Sequence, residues 1–136
     1  SSERMREAVD ALRRHGGVIL YPTETLYGLG GRAHDVESAV RIGDIKGRGL
    51  QPLIVLINEM PAWLPCEVRP IAEEFWPGPL TLIVPGEGRF PAEILGPDGG
   101  VALRFTPHGV AQRLIEAVGP ITSTSANSGH SSSSPP

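Results

Sequence analysis

Lysine and cysteine each occur once in this sequence, at Lys46 and Cys66, beside eleven arginines. A lone cysteine excludes an intramolecular disulfide, and Cys66, set between Pro65 and Glu67, reads as an ordinary reduced thiol of the kind found in the cytoplasm. Long apolar runs are missing too. No stretch approaches the roughly 20 residues of a membrane-spanning helix, and the opening SSERMREAVD has no signal-peptide core. A soluble, unsecreted, cytoplasmic protein with no membrane partner is expected. Net positive charge is also absent: at −3, the chain does not grip nucleic acid or anionic lipid with its whole surface, although a local basic groove stays open. Aromatics make up only 5% of residues, and Trp63 and Trp76 lie in no aromatic and basic cluster, so they read as packing residues rather than base-stacking platforms. The four histidines, His15, His34, His108 and His130, show no metal-ligand spacing. No protein metal site is expected.

What is present is enough for one core. With 136 residues, 40% hydrophobic and 20% charged, the chain reads as one globular domain over 1–129, followed by a low-complexity, mobile tail over 130–136. Apolar spacing of three and four residues predicts a helix from Glu3 to His15, stopped by Gly16 and Gly17. Val18 to Tyr21 is a short apolar run that suits a strand covered on both faces. Asp35 caps a helix over 36–45, and Pro52 to Ile57 reads as a second buried strand. A helix near 68–75, stopped by Pro77-Gly78-Pro79, leads into a strand over 80–84. The segment GEGRFPAEILGPDGG reads as loop, 101–105 as a strand, and Thr106-Pro107 as the cap and first position of a further helix. Gly119-Pro120 ends that helix, and a short fifth strand opens at Ile121. Five strands alternating with helices make an α/β domain whose sheet is covered by helices.

The segments around the strands share a chemical theme. After the first strand comes Tyr21-Pro22-Thr23-Glu24-Thr25-Leu26-Tyr27-Gly28-Leu29-Gly30-Gly31, with polar groups that a core strand does not need. Lys46 and Arg48 follow the second helix, Thr81 lies in one strand and Arg104 in another, and the last strand runs into Ser123-Thr124-Ser125-Ala126-Asn127. Cations beside small hydroxyls suit a polyanion next to a small polar molecule. Lys46 is the most telling, because an ammonium and the fork of Arg48 together would hold a phosphate. A solvated helix end is the plainer account of the same pair. Gly28, Gly30 and Ala33 formally match a dinucleotide fingerprint, but TETLY separates them from the strand end, so that reading fails. The run Thr122 to Ser125 has no nucleophile elbow, and Ser125 reads as a hydrogen-bond donor.

Taken in order, PTETLYGLG, KGR with PLIVLI, WPGPLTLIVP, VALRFTP and PITSTSANSG resemble the YrdC-type threonylcarbamoyl-AMP synthase family, in register from about Gly16 to Gly129. The resemblance implies an open, twisted, mixed sheet with helices packed on it and a large concave cavity. It implies a nucleotidyltransferase that makes threonylcarbamoyl-AMP and pyrophosphate from L-threonine, bicarbonate and ATP, with Mg²⁺ on the phosphates. The product would supply the threonylcarbamoyl group for a tRNA adenosine, through tRNA itself or a downstream transfer machinery.

By that resemblance Thr23, Thr25, Arg104 and Ser123 would meet threonine and bicarbonate, and Lys46, Arg48, Thr81, Ser125 and Asn127 the nucleotide. No protein nucleophile is implied. The chain departs from the family pattern in a shorter 48–52 loop, in SANSG, which lacks a residue between Asn and Ser-Gly, and in Leu56, where some members have histidine. Family domains also continue beyond the position of Pro136 with elements that help close the nucleotide side, so the chain reads as C-terminally shortened. Two other readings share the fold. One is a non-catalytic YrdC-like module for tRNA or double-stranded RNA, and the other a carbamoyl-transfer domain of hydrogenase maturation.

Overall fold

Apolar side chains at helical spacing make α1 (Ser2–Arg13), which buries Leu12. The structure is a computed structural model and describes residues 2–23 and 27–125. Thr25, Asn127 and the expected tail lie outside the described residues. The elements that follow are β1 (Ile19–Pro22), β2 (Tyr27–Gly30), α2 (Val36–Lys46), β3 (Ile54–Ile57), α3 (Arg69–Phe75), β4 (Thr81–Pro85), a 3-10 turn (Ala92–Ile94), β5 (Gly100–Phe105), α4 (Gly109–Val118) and β6 (Ile121–Ser125). Asp35 caps α2 as expected, its side chain accepting from Glu37 N.

Three expectations are corrected. Six strands form the sheet rather than five, because Tyr27–Gly30, read as loop, pairs antiparallel with β1. Glycines replace the apolar residues whose alternation would have marked that strand, and they are required there: a Cβ on Gly30 would stand 1.8 Å from Thr122 O. β1 is an edge strand with one open face, leaving Leu20 61% exposed. Thr106 is not the cap of α4. Its buried Oγ1 accepts from His108 N, which delays the helix, and His108 Nδ1 caps instead by accepting from Val110 N.

The strand order is β1-β2-β6-β3-β5-β4, antiparallel throughout except for the parallel pair β3·β5. Alternation along the paired strands assigns side chains to two faces. One face carries Val55, Leu103 and Val101, packed with Ile42 of α2 and Ala72 of α3. Tyr21, Leu56 and Ile121 belong to the other, under Leu12 of α1 and Leu114 of α4. Those two helices cover only the β1, β3 and β6 part of their face. Thr81, Ile83, Ala102 and Arg104 on β4 and β5 share that face by register, and Ile83 remains 74% exposed.

Candidate functional site

The α1/α4 face carries several of the expected polar residues, Thr81 and Arg104 on its open part and Ser123 and Ser125 on β6. Thr81 and Arg104 are direct cross-strand partners on β4 and β5, and both are half-buried. Arg104 Nε and Nη2 donate to Thr81 Oγ1 at 3.0 and 2.9 Å. On the same face, Ser123 and Ser125 of β6 lie two residues apart, and Ser123 is level with Ile54 of β3. Thr23 follows the end of β1. A Cβ on Gly28 would stand 3.2 Å from each of Ser123 Oγ, Thr23 Cγ2 and Tyr21 Cζ, so these side chains close around a glycine that leaves them room. Strand spacing and rise put the Cα atoms of Ser123 and Arg104 on the order of 12 Å apart, a span that one small molecule can bridge.

Lys46 reaches the same end of β6 from the opposite face. It is the last residue of α2, and Gly47 turns the chain there in the left-handed region, at φ 73°. Lys46 Nζ donates to Ser125 O at 2.5 Å. Burial first, and the charge of Arg48 second, lower the Lys46 pKa from its ordinary value of 10.5. Arg48 is exposed and donates to Gln51 Oε1 at 3.4 Å. An anion arriving beside these two cations would relieve their repulsion and gain charge-assisted hydrogen bonds.

Residues 11–135 match the family model for Sua5, YciO and YrdC proteins, described as telomere recombination. The chain belongs to the Sua5/YciO/YrdC family. It is 37% identical to a threonylcarbamoyl-AMP synthase of Stutzerimonas stutzeri over 84% of this chain and 65% of that protein. It is 40% identical to the one of Pyrococcus abyssi over 84% of this chain and 36% of that protein. The solved structure of P. abyssi Sua5 complexed with L-threonine superposes with a TM-score of 0.82 at 38% identity, covering 93% of this chain and 39% of that one. The chain thus spans about two thirds of the first of these relatives and little more than a third of the second.

In this Sua5/YciO/YrdC chain the structure forms three groups from the expected site residues: Thr23 with Ser123, Thr81 with Arg104, and Lys46 with Arg48 and the carbonyl of Ser125. Thr25 and Asn127 are outside the described residues. Gly28 and Tyr21, which shape the first group, were not singled out as site residues. The only sequence signal for them was their place beside the threonines.

Trp63 packs against the core as expected, but it does lie in an aromatic and basic cluster. Arg89 lies over its ring at 4.6 Å, Phe90 meets it edge-on, and His34 stacks on Phe90 at 5.0 Å. His34, Trp63 and the Arg89-Phe90 pair are far apart in sequence, so no local pattern announced the cluster. It borders a cavity of about 470 Å³, also lined by Ile57 and Pro120, that holds none of the expected site residues.

Proposed function

We propose that this chain carries the catalytic fold of an L-threonylcarbamoyladenylate synthase, a nucleotidyltransferase acting on L-threonine, bicarbonate and ATP. The observation that carries the reading is the sheet face that presents a guanidinium and a pair of small hydroxyl side chains, with a lysine–arginine pair reaching the end of β6 from the opposite face. Arg104 takes the threonine carboxylate, Thr23 and Ser123 the rest of the amino acid, and Lys46 and Arg48 the phosphates. Bicarbonate supplies carbon dioxide, with loss of water, to the threonine amine. The carbamate oxygen then attacks the α-phosphorus of ATP, and pyrophosphate leaves. Catalysis here is positioning and charge neutralisation, which explains a site without a nucleophile.

The donor set of this face is hydroxylic and cationic, and no group of three His, Cys, Asp or Glu among the described residues is placed to hold a metal. Mg²⁺ is expected on the phosphates of the ATP substrate. The adenylate is handed to tRNA modification, directly or through a transfer partner. The test is pyrophosphate release with each substrate omitted in turn. Release is expected only when threonine and bicarbonate are both present, and equal release without threonine would overturn the reading. Serine, lacking one methyl group, is expected to react less well by about 1–3 kcal/mol.

A further inference from the structure

The two hydrogen bonds between Arg104 and Thr81 restrict how Arg104 can meet a ligand. Nε–H and one N–H of Nη2 form one edge of the planar guanidinium, and both point at the same oxygen, Thr81 Oγ1. The opposite edge, made by Nη1 and the second N–H of Nη2, makes no hydrogen bond to a described residue. Two parallel N–H groups on that edge match the two oxygens of a carboxylate. Thr81 is itself fixed. The residue before it is held by Trp76, whose Nε1 donates to Leu80 O at 2.7 Å, and Gly78 N donates to Phe105 O at 3.0 Å, tying the start of β4 to the end of β5. On its other side Arg104 is level with Leu56, which is buried and offers no hydrogen-bond acceptor. Among the described side chains, Thr81 alone hydrogen-bonds this arginine.

We infer that Thr81 is a positioning residue, not a nucleotide contact: its hydroxyl turns the outer edge of Arg104 toward the carboxylate of the amino-acid substrate. This rests on the synthase reading for the identity of the substrate, but the hydrogen-bond geometry stands without it. Thr81→Val keeps the shape and the strand preference and removes the acceptor. Thr81→Ser keeps the acceptor. The Nε–H resonance of Arg104, assigned through its loss in Arg104→Lys, is expected to be protected from solvent exchange in the native chain and in Thr81→Ser, and to exchange rapidly in Thr81→Val.

In pyrophosphate assays Thr81→Val is expected to raise the KM for threonine about tenfold with the KM for ATP unchanged, and Thr81→Ser to restore it. An unchanged Nε–H exchange rate in Thr81→Val would overturn the proposal. So would a rise in the ATP KM with the threonine KM unmoved, which would place Thr81 on the nucleotide. Should Thr81→Val not fold, Thr81→Ala against Thr81→Ser repeats the comparison. If the native chain releases no pyrophosphate with threonine, the synthase reading fails, and the exchange measurement still decides the role of Thr81.

Discussion

Replacing Arg104 by lysine would keep the charge of the open face but remove the planar edge that meets a carboxylate. Arg104→Lys is expected to raise the threonine requirement while ATP binding, measured without threonine, stays nearly unchanged; loss of both would put Arg104 on the phosphates. Lys46 invites a titration, because its pKa is lowered by burial first and Arg48 second. A depressed lysine pKa means the charged form is disfavoured in the folded chain. The cost is therefore present below the folded pKa and relieved as pH rises from there toward 10.5. An NMR titration of the Lys46 Cε signal is expected to show a midpoint below 10.5, moving up when a polyphosphate binds and moving up partly in Arg48→Ala. A midpoint that ignores polyphosphate would leave Lys46 a helix-end cation. Lys46→Ala is expected to weaken ATP use on the order of ten- to a hundredfold, and the exposed Arg6→Ala not at all. The singularity of this lysine was legible in the sequence. Its bond to the Ser125 carbonyl was not, because nothing local to either residue says that α2 ends beside β6.

At the scale of elements, the α2 boundaries were legible because Asp35 and Gly47 mark them with their own chemistry. Asp35 does more than the sequence could say: its carboxylate also accepts from the buried Gly16 N at 2.6 Å, joining the end of α1 to the start of α2. Asp35→Ala is therefore expected to cost about 2–4 kcal/mol in urea denaturation, the cap together with an orphaned backbone donor. A loss under about 1 kcal/mol would mean that water replaces both. β2 was illegible for the opposite reason, since glycine hides strand alternation while satisfying a close approach to β6. Gly30→Ala presses a methyl onto the Thr122 carbonyl, a backbone atom that cannot step aside, and is expected to destabilise by about 1–3 kcal/mol or more. At Gly109, where a Cβ meets nothing within 4 Å, the same substitution is expected to stabilise α4 by up to about 1 kcal/mol.

For the whole molecule, the strand count fell one short and the strand order was not legible, because register between strands many residues apart is written in no local pattern. Both cores rest on the two sides of one sheet, and β3 contributes Val55 to one and Leu56 to the other. Trp63 and Trp76 report on the α2/α3 side and buried Tyr21 on the α1/α4 side. Their unfolding curves in urea are expected to coincide, and two separated midpoints would show that the halves come apart independently. The position of β6 carries a further consequence for synthesis. It lies between β2 and β3, so the β1–β2 hairpin and the β3-β5-β4 half share no strand until Ile121–Ser125 is available. During synthesis the strand pairing that joins these two parts cannot form before the strand carrying Ser123 and Ser125 emerges. Completion of the sheet and completion of the candidate site are thus the same event.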